Sequence, residues 1–406
     1  MKVYIPEHLY RKLSPGMEVA GVVRSEENIA YILTTETSAA YSAIGKVFED
    51  ERDFGLESPR LCVYLEESGP DKSIWSRQPH LKADLDIVGA QDLYARTPFD
   101  PVCSEVLQNS RITVFGCGTG GSYIATELAR AGVRRFTLVD PDIITPPNLS
   151  RHEGTFTDLG RKKVVVVKDR ILSVSPSAEV SCHPEDVFLH NKQDRIEQLF
   201  RDSDLVIAAT DRTAAQLLIN EFCVNVQVPG LFGGCYENAA GGEVFAYVPE
   251  WKTPCLCCLK GSGVNPDRRR GPMDYSTASG PEDYTGQPGL HAAINLVSSV
   301  ETQVALGILL RRATNTFEKI VGPSRCFWFI GGAFCEDISP FKKPFDTFHV
   351  EFQGPRRTCE TCRTNEQPID ELEPFPIQML SPEEIDHLID DLRPCDAGLC
   401  GKEEET

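Results

Sequence analysis

No stretch of this 406-residue sequence holds enough uninterrupted apolar residues to cross a bilayer. Its opening, Met1-Lys2-Val3-Tyr4-Ile5-Pro6-Glu7, lacks the basic-then-apolar order of a signal peptide, so the cytoplasm is the expected location. Positive charge is also in deficit: 41 Lys and Arg stand against 60 Asp and Glu, a formal net charge of -19. Such a surface repels phosphate backbones and anionic lipid, which argues against sequence-independent nucleic-acid binding and for a protein or peptide partner. The spacing of a disulfide framework is absent too. The 15 cysteines, an odd number, are mostly scattered singly, which fits buried reduced thiols plus one metal site.

The length suggests one large α/β domain of roughly 250 residues with smaller appendages. Residues 1–90 read as a small α+β domain: strands at 3–5, 19–23, 30–34 and 61–65, a short helix at 6–13, and a hairpin turn at Ser25-Glu26-Glu27-Asn28. From 91 to 365, strands at 111–115, 135–139, 178–182 and 205–209 alternate with helices at 122–131, 161–174, 192–200 and 213–225, the order of a Rossmann-like, mostly parallel sheet. A Gly- and Pro-bearing stretch spanning 259–289 then precedes a long apolar helix over 290–310. Residues 366–406 form an acidic tail with one amphipathic helix, capped by Ser381, Pro382 and Glu384 and with Ile385, Leu388, Ile389 and Leu392 on its apolar face.

The strand at 112–115 runs into Gly116-Cys117-Gly118-Thr119-Gly120-Gly121, placing Gly116, Gly118 and Gly121 on a G-x-G-x-x-G template between a strand and a helix. Glycines let the backbone approach a phosphate, and the helix N-terminus offers unpaired N–H groups. Asp140 ends the next strand, where an acidic residue binds ribose hydroxyls. Taken alone, this predicts a nucleotide site without separating NAD from ATP. The residues that follow do separate them, because Asp140-Pro141-Asp142, Asn148-Leu149-Ser150-Arg151-His152 and Gly160-Arg161-Lys162-Lys163 crowd cations and amides onto the carboxyl edge of the sheet. Hydride transfer has no need of them.

This run resembles the D-x-D, N-L-x-R-Q, G-x-x-K succession of the ThiF/MoeB/ubiquitin-activating superfamily, with His152 in place of the usual glutamine. The resemblance extends through Ala209-Thr210-Asp211, the helix of Asn220, Pro229 with Gly233-Gly234, and Gly241-Gly242-Glu243-Val244. It implies an ATP-dependent adenylyltransferase that activates the C-terminal carboxylate of a ubiquitin-like protein or peptide. By it, Asp140 binds ribose, Asn148, Arg151 and Lys163 hold phosphates, with Lys162 as register alternative to Lys163, and Asp211 ligates Mg2+. Asp142 belongs to the same nucleotide set. Attack of a carboxylate on an α-phosphorus brings two anions together, so pre-placed cations have a chemical reason to be there. Upstream, Asp92-Leu93-Tyr94-Ala95-Arg96 is similar to the family's Y-x-R segment, whose arginine reaches the neighbouring protomer's triphosphate; Arg96 therefore implies a homodimer. Glu18 before Gly21 resembles the opening of a JAB/MPN isopeptidase domain, but no His-x-His pair occurs in the chain, and a docking or clamp role is the simpler expectation.

Two C-x-x-C hooks, Cys255 with Cys258 and Cys359 with Cys362, can close a tetrahedral shell, and the matching family hooks bind structural Zn2+. Family members that pass the acyl group onward to a conjugating enzyme carry a cysteine in the crossover loop, yet 259–325 contains none. Three outcomes stay open: release of the adenylate, a thiol from elsewhere, or an oxyester on Ser276, Thr277 or Ser279, with Asp274 or His291 as a base. Rival readings are a non-catalytic adaptor with a degenerate activating-enzyme fold and an NAD-dependent oxidoreductase.

Overall fold

The computed structural model describes residues 1–14, 16–37, 41–48, 61–65, 72–76, 81–186, 193–260, 288–314, 325–335, 341–351, 354–355 and 359–363. By compactness the chain divides into Met1–Ser110 with Ala125–Phe136 and Val165–Cys182, and Arg111–Ile124 with Thr137–Val164 and His183–Thr406.

The N-terminal sheet has the order Leu81–Lys82, Lys72–Ser76, Leu61–Leu65, Ser42–Phe48, Glu18–Arg24, Ile29–Thr34, Lys2–Pro6, Asp84–Val88. Glu18–Arg24 and Ile29–Thr34 pair antiparallel around the expected turn, where Asn28 takes a positive φ. Alternation in these strands sends Val3, Ile5, Val19, Ala30 and Ile32 inward, against Leu9, Tyr10 and Leu13 of the adjoining short helix Glu7–Lys12 and its C-cap.

The second sheet runs Glu179–His183, Arg135–Val139, Arg111–Phe115, Leu205–Ala208, Gly230–Cys235, Gly241–Tyr247, Arg325–Gly331, Thr347–Glu351. Leu205–Ala208, buried at every residue, pairs parallel with Arg111–Phe115 on one side and Gly230–Cys235 on the other. A continuous apolar run is what a strand covered on both faces requires. From Gly230–Cys235 outward the pairing turns antiparallel, and only the first of these pairs, Gly230–Cys235 with Gly241–Tyr247, is joined by a short connection, residues 236–240. The sheet is thus mixed, with its parallel character concentrated where the alternating strand–helix pattern lies. Phe115, Phe200 and Phe222 stack in series at 5.0 Å between ring centroids, fastening the helices Gln193–Arg201 and Thr213–Val226 to the sheet.

The helix His291–Leu310 is long and apolar enough to cross a membrane by length and composition. Here it packs against the strands Gly230–Cys235 and Gly241–Tyr247, with Val304, Ile308 and Leu310 fully buried. The tail helix expected after Ser381 lies outside the described residues.

Candidate functional site

The strand Arg111–Phe115 ends in a turn that excludes side chains. Gly116 has φ +92°, and a Cβ there would stand 2.4 Å from the Ala209 carbonyl oxygen; one on Gly121 would stand 1.9 Å from the Gly116 oxygen. These approaches seat the start of the helix Thr119–Arg130 beside the end of the strand Leu205–Ala208. Gly118 differs, since a Cβ there would meet nothing within 4 Å, so this stretch of backbone is open to approach by a phosphate.

Asp140 lies just after the strand Arg135–Val139 and is 6 % exposed. Its Oδ2 accepts from the Cys117 N–H at 2.7 Å and its Oδ1 from the Asp142 N–H at 2.8 Å, tying the glycine loop to the next strand end. Each carboxylate oxygen has a further lone pair, so acceptor capacity for ribose hydroxyls remains. Burial pushes this carboxyl up, with Lys163 opposing and Asp142 adding to the shift.

Lys163 opens the helix Lys163–Val174 and is buried, with Nζ 2.7 Å from Asp142 Oδ2. Burial disfavours its charge, yet Asp140, Asp142 and Asp211 together hold the ammonium above its ordinary value. Lys162 leaves the cluster and donates to the Pro141 carbonyl at 2.7 Å, so Lys163 is the lysine turned to the carboxylates. Asp211 is exposed, beyond the end of the strand Leu205–Ala208.

Asn148 Oδ1 accepts from the Thr145 N–H at 2.9 Å and from its hydroxyl at 3.0 Å, closing the turn that leads into the short helix Pro146–Ser150. Arg151 follows that helix, half-buried. The next residue, His152, is 6 % exposed, and both ring nitrogens are used. The Gly154 N–H donates to Nδ1 at 2.8 Å, which requires Nε2 to carry the proton and donate to the Cys117 carbonyl at 2.8 Å. A single neutral tautomer therefore locks the glycine loop from the other side. Burial holds this imidazole below its ordinary value.

Two residues that sequence reasoning missed belong here. Gln216 donates through Nε2 to the carbonyls of Thr210, at 3.0 Å, and Gly233, at 2.8 Å, joining the Asp211 segment to the strand Gly230–Cys235. Glu301, 4 % exposed, lies over Gly233, and burial pushes its carboxyl up to about 8. Its signal was legible: it is the lone acidic residue in the apolar helix His291–Leu310. Arg96 is exposed in the turn after Ala90–Tyr94, without an ion pair among the described residues. Ser276, Thr277 and Ser279 lie outside the described residues.

Away from this pocket, the sulfurs of Cys255, Cys258, Cys359 and Cys362 all lie within 4.8 Å of one another. Cys255 and Cys359 are 3.6 Å apart, as are Cys258 and Cys362, and Cys255 and Cys258 are 3.9 Å apart. Four thiolates at Zn–S bonds of about 2.3 Å stand about 3.8 Å from each other in a tetrahedron, so the set fits Zn2+ with no position left for water. Asn220, fully buried, accepts from the Leu256 N–H at 2.8 Å and so holds the first hook on the helix Thr213–Val226.

Residues 93–323 match the ThiF family, and the chain belongs to it. Among curated relatives, the Sulfur carrier protein ThiS adenylyltransferase of Bacillus subtilis is 31% identical over 172 residues, covering 42% of this chain and 48% of its own length. The Ubiquitin-like modifier-activating enzyme 5 of Caenorhabditis elegans is 25% identical over 162 residues, covering 38% of each. The chain thus spans about half or less of these relatives. A crystal structure of E. coli MccB with AMPCPP and MccA has the same fold at TM-score 0.50 and 17% identity, covering 67% of this chain and 74% of that one.

Proposed function

We propose that this protein adenylates the C-terminal carboxylate of a ubiquitin-like protein or short peptide, using MgATP and releasing pyrophosphate. The observation that carries the reading is the buried Lys163 among Asp140, Asp142 and Asp211 at the mouth of the glycine loop. In this reading Asp140 holds the ribose, the Gly118 backbone, Asn148, Arg151 and Lys163 receive the phosphates, and Asp211 holds magnesium. Magnesium supplies neutralisation of the triphosphate charge. The Arg151 and Lys163 cations offset the repulsion between the incoming carboxylate and the α-phosphate, and they do so most strongly as charge builds in the transition state.

Support for the carrier class comes from the relatives, two of whose names specify activation of a sulfur carrier or ubiquitin-like protein. The E. coli MccB structure contains AMPCPP and MccA. The reading further includes a cytoplasmic homodimer in which Arg96 serves the partner's nucleotide, a structural zinc in the four-cysteine cluster, and a conjugating enzyme as downstream recipient. Partner-dependent exchange of labelled pyrophosphate into ATP tests the whole. Small proteins and peptides with free C-termini should support exchange in the wild-type chain and none in Asp211→Ala. An adaptor would give none in either, and an oxidoreductase would bind NAD in place of ATP.

A further inference from the structure

Glu301 carries a buried oxygen, Oε1, that has no hydrogen-bond partner. A Cβ on Gly233 would come within 2.2 Å of that oxygen, so only glycine lets the carboxyl lie on the strand Gly230–Cys235 at this point. Side chains alternate along a strand, which puts Cys235 on the same face two residues further on. Cys235 is the last residue of the strand, and it is exposed. Across from it in the neighbouring strand stands Gly242, where a Cβ would meet Val297 at 2.7 Å. The helix that brings in Val297 and Glu301 also sets the Ser298 hydroxyl 3.1 Å from the Cβ position of Gly120, in the glycine loop. Residues 297, 298 and 301 share one helix face. This segment of the helix therefore reaches the strand pair that holds Cys235, carries the orphan carboxyl and meets the nucleotide loop.

We propose that Cys235 is the nucleophile that takes the activated acyl group from the adenylate, with Glu301 receiving the thiol proton. This rests on the adenylation reading. The Cys235 sulfur attacks the acyl carbon and forms a carbon–sulfur bond, the bond from that carbon to the phosphate oxygen breaks, and AMP leaves with the electron pair. The proton passes to the unpartnered oxygen of Glu301 in its deprotonated form, so the transfer speeds up as pH rises toward about 8. Packing around the sulfur raises this thiol, the Glu301 charge adds to the shift, and the Arg151 guanidinium opposes it. A thiol so raised needs a base at hand, and Glu301 is the carboxyl on its face of the sheet. The thiol absent from the crossover loop is thereby supplied by the sheet itself.

The test uses the full chain and an adenosine whose 5′ position carries a vinylsulfonamide, capped by glycylglycine, in place of the acyl phosphate. This places an electrophilic carbon where the acyl carbon would stand. Peptide mass spectrometry is expected to find the covalent adduct on Cys235, with labelling suppressed by excess MgATP. Cys235→Ser and Cys235→Ala should both lose it, and Glu301→Gln should slow labelling by about a hundredfold, the usual contribution of a positioned base. An adduct on another cysteine, or on Ser276, Thr277 or Ser279, with MgATP binding intact by calorimetry, overturns this inference and leaves the adenylation reading standing. Cys235 labelling indifferent to MgATP also overturns it. Failure of the wild-type chain to bind MgATP removes both.

Discussion

The nucleotide pocket and the four-cysteine cluster both bury groups that resist burial, and they satisfy them by opposite means. In the pocket, short-range backbone contacts do the work: Asp140 and His152 grip the two sides of Cys117, and Lys163 neutralises the carboxylates beside it. These hydrogen-bonded partners all fall between Cys117 and Lys163 in the chain. The cluster instead gathers hooks separated by 104 residues, whose sulfurs face one another at 3.6 Å. A local network is held by its own hydrogen bonds, whereas the proposed zinc would join two segments far apart in the chain.

The sharpest way to break this contrast is to strip the metal. Chelation, or Cys359→Ser, should release the second hook and lower stability by several kcal/mol, in line with the folding free energy that structural zinc supplies. Elemental analysis should find about one zinc per chain. Metal-free protein with unchanged thermal stability would erase the distinction. The converse perturbation is Lys163→Met, which should reduce pyrophosphate exchange by about a hundredfold or more while leaving zinc content unaltered. Exchange at the wild-type rate would remove Lys163 from the chemistry.

Glu301→Gln sharpens the comparison within the pocket. Its folded carboxyl titrates near 8, above the ordinary 4.5, so the folded state binds the extra proton and stability falls as pH rises from about 4.5 to about 8. Glutamine should remove that slope and stabilise the protein at neutral pH by on the order of 2–3 kcal/mol. Denaturant melts at pH 5 and pH 8 read it directly, and parallel slopes in both chains would contradict the assignment.

The smallest effect belongs to His152. Its folded imidazole titrates below the ordinary value, so its contribution is present above about 6.5 and is lost as pH falls toward the lowered value. His152→Ala should cost about 1–3 kcal/mol by leaving the Cys117 carbonyl and the Gly154 N–H unpaired, and should raise the KM for ATP more than it lowers kcat. His152→Gln, which restores an amide donor and acceptor, should recover most of that loss. An equal fall in kcat for both variants would point to a role other than holding the loop.

Legibility in the sequence followed the same division between local and distant. The strands Arg111–Phe115 and Arg135–Val139 and the helix Thr213–Val226 could be read within a residue or so, because apolar runs and glycine punctuation are local signals. The order of Lys162 and Lys163 was not readable, since which lysine turns inward depends on the bridge between Ile143 and Lys162 and on where the helix begins. Gly241–Tyr247, Arg325–Gly331 and Thr347–Glu351 escaped as strands: their partners are set by tertiary pairing, and glycines dilute the first of them. The cysteine hooks were plain from spacing, but their meeting across more than a hundred residues could only be inferred from the family resemblance. Cys235 carried no motif, and Glu301 only its place as the lone acidic residue of an apolar helix; they come together through the packing of the helix His291–Leu310 on the sheet.

The central claim is that a free C-terminal carboxylate is what the pocket activates. Pyrophosphate exchange measured with one carrier in two forms, its C-terminus free or amidated, tests this most directly. The account predicts exchange with the free acid and background alone with the amide. Equal exchange with both forms would contradict it.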